Sequence, residues 1–147
     1  MNNNLVQGER ILTNYGETDT INGTMRFTIN IQNASIMTHN GLINWNSNLV
    51  QEWISGQNTY SEISDDKYII TGSGGGNNVN GAPFQFTIMD TLNLDYSCQP
   101  YCIIKRGNTK ISPDNYTNRI VNYGDSLCDC NVNVLIEENT HLIVVDY

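Results

Sequence analysis

The pattern that most constrains this chain is strict period-two alternation. From Thr24 to Gln32, apolar Met25, Phe27, Ile29 and Ile31 are each flanked by a polar residue. Successive side chains of a strand point to opposite faces, so this run is a half-buried strand with one apolar face. Leu92 to Cys98 alternates in the same way and turns Cys98 inward, while 131–136 and 141–145 carry the β-branched residues that suit a pleated surface. Asn22-Gly23, Asn40-Gly41 and Asn80-Gly81 are strong hairpin signals, and Arg106-Gly107-Asn108 and Glu138-Asn139 mark further turns.

These signals predict strands over 8–14, 24–32, 34–39, 42–46, 48–55, 67–73, 83–90, 91–98, 101–106, 109–112, 117–123, 131–137 and 140–146. No segment sustains a 3.6-residue period; the only helix candidate, 49–54, fits a strand equally well. Gly72 to Asn78 reads as a hairpin loop, and the Gly72–Gly81 stretch lacks the lysine and following helix that a phosphate loop needs. Short strands recurring every few residues, with no linker between them, predict one all-β domain over 1–147. Its expected form is an antiparallel β-sandwich, with a barrel as the alternative.

Composition narrows the partners. The chain holds 23 Asn among 147 residues, a turn-favouring composition that is poor for helix interiors. Its net charge of −8 opposes nucleic acid and anionic membrane surfaces. No stretch has the apolar length of a membrane span, and Met1 to Leu5 has neither the basic nor the apolar region of a signal peptide. Either the protein is intracellular or the sequence is a mature or truncated segment. The cysteines favour the second.

Those cysteines, Cys98, Cys102, Cys128 and Cys130, fall in two short clusters. Two disulfides across one contact fit this layout, and would staple the fold. The rivals are a four-thiolate zinc site, whose usual two-residue spacers are missing here, and free thiols. A catalytic cysteine has no support, because neither His39 nor His141 lies near the clusters in sequence. No cofactor is indicated.

Glu52-Trp53-Ile54, then Ile70-Thr71-Gly72-Ser73-Gly74-Gly75-Gly76-Asn77, then Asn80-Gly81, an alternating strand ending in Cys98, and Tyr123-Gly124-Asp125 running into Cys128-Asp129 follow one another in a distinctive order. In that order the chain resembles an uncharacterised family of cell-surface proteins and lipoproteins of Bacteroidetes bacteria, from about Gly8 to Tyr147. The Tyr-Gly-Asp-x-x-Cys-Asp element is the most specific part. The resemblance implies an exported or surface-anchored parent with further sequence upstream, and it brings no established activity. It also implies that Cys98 and Cys128 are the family's usual pair, with Cys102 and Cys130 as a second bridge. Asn122 to Ser126 departs from the family's tighter turn.

Several residues are candidates for a site. Trp45, flanked by Asn44 and Asn46, is a candidate exposed platform for a sugar ring, with Tyr60 and Tyr68 in the same region; Trp53 is read as core. Gly74, Gly75 and Asn77 belong to the loop beside that platform. Asp125 and Asp129 offer two carboxylates to a calcium ion, against the simpler role of capping turns. Asp65-Asp66 reads as a solvated loop. No nucleophile–base arrangement is recognisable. The expected function is a non-catalytic extracellular module that binds a surface glycan or a protein, and the alternative is a structural domain that pairs through its edge strands.

Overall fold

The fold was obtained as a computed structural model, which describes residues 5–19, 23–59, 61–98 and 102–145. Nine strands run in chain order: β1 (Val6–Asp19), β2 (Thr24–Thr38), β3 (Gly41–Ser55), β4 (Lys67–Asn77), β5 (Pro83–Asp95), β6 (Ile104–Pro113), β7 (Arg119–Asp125), β8 (Asn131–Ile136) and β9 (Asn139–Val144). Each pairs antiparallel with its neighbours in sequence, giving one sheet ordered β1 to β9. The antiparallel, all-β, disulfide-stapled class is therefore realised. Its strands lie in one continuous sheet, and β1 and β9 do not meet to close the barrel. Every link joins strands adjacent in the sheet, so none of them carries the chain to a second sheet.

The register sorts the side chains into two chemically distinct faces. Antiparallel partners share a face, and one cross-strand row runs Asn30, Asn48, Ser73, Thr87, Lys110. The opposite face carries Leu12, Ile29 and Leu49 in a row that ends on Gly72. Phe84, Phe86, Ile88, Ile70 and Ile111 line a hollow of about 320 Å³ on this apolar face together with Leu49. Burial is thin for such a chain: among the described residues only Ile29, Ala34, Leu92 and Cys98 form the buried apolar set.

Glycines are what let the apolar face pack at all. Gly74 stands between Ser47 and Phe86 in the register. A Cβ there would lie 2.6 Å from Phe86 Cε1 and 2.5 Å from the Asn46 carbonyl oxygen. The Phe86 ring thus covers bare backbone, as aromatic residues do over sheet glycines. Gly74→Ala is expected to destabilise the chain by about 1–3 kcal/mol, the usual cost of overpacking, read from the midpoint of urea unfolding. The segment Gly72 to Asn77 is accordingly β4 itself. Only 78–82 turns, with Asn78 exchanging backbone hydrogen bonds with Ala82 and Gly81.

Register shifts account for other departures from the expected strands. Asn33 takes φ of 50° at a shift between Ile31 and Ala34, and its amide donates to Asn46 Oδ1 at 2.7 Å. β2 continues through this bulge, although the sequence reads as two strands. Arg106-Gly107-Asn108 is not a turn but an uninterrupted part of β6, where Gly107 faces a bulge formed by Tyr123 and Gly124 of β7. The stretch 91–98 also ends early: β5 stops at Asp95, and Tyr96–Cys98 is a 3-10 turn.

One end of the sheet is held by a polar and aromatic cluster. Trp53 stacks on Tyr68 with ring centroids 5.8 Å apart, and Tyr68 meets Tyr96 edge-on. Trp53 thus packs as expected, and Tyr68 packs with it. Asp66 corrects the solvated-loop reading: it is buried, and accepts from Trp53 Nε1 at 3.0 Å and from the Tyr68 hydroxyl at 3.2 Å. Burial, then the Asp66 carboxylate, push the Tyr68 phenol up to about 12, so it stays a neutral donor. Beside this cluster Cys98 bonds to Cys128 and Cys102 to Cys130, each pair with Cα atoms 5.1 Å apart. Two disulfides suit an oxidising, non-cytoplasmic compartment. Among the described residues no helix is long and apolar enough to cross a membrane.

Candidate functional site

Bulges concentrate where β5, β6 and β7 meet. The β5–β6 register shifts between Ile88 and Asp90 and again between Asp90 and Asn93, and the β6–β7 register shifts between Arg106 and Asn108. Each extra residue bends its strand and re-aims a side chain. The outcome on the polar face is a concavity of about 560 Å³, within the range of small-molecule sites. Asp90, Asn93, Arg106, Asn108, Asn122 and Asp125 line it, with the backbone of Gly107 and Gly124 as its floor. Gly107 is required there, because it adopts φ of 122° and a Cβ would lie 2.7 Å from the Thr91 carbonyl oxygen.

Part of this set is fixed and part is left open. Asn93 Nδ2 donates to the Thr91 carbonyl at 3.0 Å, and Asn122 Oδ1 accepts from the Gly124 amide at 2.8 Å. Asn108 Nδ2 donates to Asp90 Oδ2. The other end of that amide, Asn108 Oδ1, is buried without a partner among the described residues. Arg106 and Asp125 are cross-strand neighbours, yet among the described residues neither side chain takes part in an ion pair or a hydrogen bond. The concavity therefore offers a free guanidinium fork and free carboxylate oxygens, while the orphaned Asn108 oxygen lies beneath its surface. Asp90 and Asp125 are both exposed, whereas a general acid is made by desolvating a carboxyl in an apolar pocket. What converges here is hydrogen-bonding capacity.

The expected site residues are distributed differently. Trp45 lies on the apolar face, opposite the polar concavity, and is half-buried beside a hollow of about 230 Å³ shared with Val6, Arg10, Ile31 and Ala34. The register does bring it together with the glycine segment: Trp45 pairs with Gly76, Asn46 with Gly75, Ser47 with Gly74 and Asn44 with Asn77. They meet as strand partners, with the Asn77 amide donating to Asn44 Oδ1, and not as a loop around a platform. Tyr60 lies outside the described residues. Asp129 accepts from the amide and side chain of Asn131, which is the turn-capping role. Asp125 stands in the polar concavity instead, and among the described residues no group of three or more acidic, histidine or cysteine side chains gathers to hold a metal.

Sequence reasoning missed Asp90, Arg106 and Asn108. The one available signal was Gly107, read as part of a turn when it lies within a strand, where an isolated glycine marks a bulge or a close approach of backbone, here of the Thr91 carbonyl. No family model, curated protein or solved structure matches the chain.

Proposed function

We propose that this chain is a non-catalytic saccharide-binding module of an exported, surface-located protein. The observation that carries the reading is the concavity on the polar face, where the exposed Arg106 and Asp125 side chains keep open hydrogen-bonding capacity beside the amides of Asn93 and Asn122. A sugar ring presents hydroxyls that each donate and accept, so it matches a mixed set of guanidinium donors and carboxylate and amide acceptors. Two carboxylates against one guanidinium disfavour an anionic ligand, and the guanidinium disfavours a bare cation. The resemblance to Bacteroidetes surface proteins agrees with this setting. The two disulfides fit export.

The test is calorimetric titration of the purified chain with neutral mono- and oligosaccharides, in calcium and in chelator. One saccharide class is expected to bind equally in both. Arg106→Ala and Asp125→Ala should each weaken it about tenfold or more, the worth of a hydrogen bond to a charged group. Both side chains are exposed, so thermal midpoints should barely move. Binding that survives both substitutions, or no binding by any saccharide, would overturn the reading.

A further inference from the structure

The two edges of the sheet are not alike. β1 is interrupted by register shifts at Gln7/Glu9, Asn14/Glu17 and Glu17/Asp19, and it carries the charged side chains of Glu9, Arg10 and Glu17. Bulges and charges are the devices by which edge strands are kept from pairing with another chain. β9 has none of them. Its sequence, Asn-Thr-His-Leu-Ile-Val, contains no Lys, Arg, Asp, Glu or Pro, and its register with β8 is unbroken from Asn139 to Val144. Every residue of β9 is exposed, including Leu142 at 63%, Ile143 at 48% and Val144 at 58%. Among the described residues, one side of β9 therefore presents an unpaired row of backbone donors and acceptors flanked by apolar side chains on both faces.

We infer that β9 is a self-association edge, and that its partner is β9 of a second copy, joined about a two-fold axis normal to the sheet. Topology favours this occupant over head-to-tail stacking. With nine strands all antiparallel to their neighbours, β1 and β9 run in the same direction. A copy added head to tail would bring its bulged, charged β1 alongside β9 as a parallel pair, the less stable ladder. Rotation about the dyad instead makes β9–β9 an antiparallel pair, and it keeps polar face against polar face and apolar face against apolar face. The arrangement is isologous and closes at two chains, leaving the charged β1 edges outermost. Among the described residues β9 itself brings no Lys, Arg, Asp or Glu to the junction, so the net charge of −8 per chain opposes it mainly at long range. The junction lies beyond β8 from the polar concavity, so the inference stands apart from saccharide binding.

Sedimentation equilibrium of the whole chain decides it. With rising concentration the mass should climb from 16.5 kDa to twice that value and stop there. Ile143→Lys should hold it at one chain, while Leu12→Lys on β1 should leave the dimer intact. Hydrogen exchange on the wild type provides a readout that does not depend on a variant folding: β9 amides should gain protection as concentration rises, and β1 amides should not. A monomer at every concentration, an open-ended series of larger species, or a dimer broken by Leu12→Lys but not by Ile143→Lys would overturn the inference.

Discussion

Asp95→Ala is expected to destabilise the chain by about 3 kcal/mol, and to remove most of its sensitivity to acid between pH 4 and 2. Asp95 is 6% exposed. Its Oδ1 accepts from the Ser97 amide at 3.0 Å and the Ser97 hydroxyl at 2.6 Å, and its Oδ2 faces Lys105 Nζ at 3.2 Å and Lys67 Nζ at 3.3 Å. Breaking a buried ion pair from one side costs roughly 3–5 kcal/mol. The lower end applies here, because the Lys67 side chain is 48% exposed and can return to water. Burial alone would raise the Asp95 carboxyl. The two Ser97 hydrogen bonds and the two ammonium groups outweigh it and bring the carboxyl down to about 2 from 3.8. The unfolded chain then binds this proton more readily than the folded one. The stabilisation is complete above about pH 4 and falls away as pH drops through 2, a loss of about 2 kcal/mol. Urea unfolding of wild type, Asp95→Ala and Asp95→Asn across that window checks both numbers. An unchanged acid limb in the variants would show that other carboxylates carry it.

Asp95 also shows where sequence reading stops. In the sequence it is one polar position in an alternating run ending at Cys98, and alternation assigns such a residue to the solvent face. Lys67 and Lys105, which make its burial tolerable, come from strands on either side and nothing local marks them as partners. Asp66 was hidden for the same reason, since its donors Trp53 and Tyr68 are brought to it by the β3–β4 register.

Strand identity, by contrast, was legible, because it depends on period-two patterning that each segment carries alone. What was lost was continuity. β2, β3, β5 and β6 each read as two strands, and two of them carry an extra residue where the pattern breaks phase, at Asn33 in β2 and around Met89 to Leu92 in β5, while Gly107 of β6 faces that β5 bulge and another at Tyr123 and Gly124 of β7. A change of phase looks like a turn when only one strand is in view; seen beside its partner it is a bulge. The polar concavity is built from two of those bulges, so the feature that blurred the strand pattern also concealed the site. The layering of the fold was illegible for a different reason. An apolar face states that something must cover it, and does not say whether a second sheet, the curvature of its own sheet or another chain will do so.

Removing both disulfides is expected to cost about 6 kcal/mol, while removing either one should cost only about 2. Cys98–Cys128 spans 30 residues and Cys102–Cys130 spans 28. In the chain-entropy account the first bridge formed constrains the unfolded chain by roughly 3–4 kcal/mol. The second then closes a much shorter path: from Cys102 back to Cys98, across that bridge, and on from Cys128 to Cys130, about seven residues, for roughly 2 kcal/mol. Because the two are interlocked, either one alone keeps most of the constraint. The single losses should therefore sum to less than the double loss, by about 2 kcal/mol. This is checked by urea unfolding of Cys98→Ala/Cys128→Ala, Cys102→Ala/Cys130→Ala and the fourfold variant. Cys98 is 1% exposed, so its alanine variant also leaves a small cavity and should be the worse of the two single losses. Strict additivity would mean that the bridges stabilise through native packing and not through the unfolded chain. With so thin a buried apolar set, the fourfold variant is expected to be largely unfolded without denaturant.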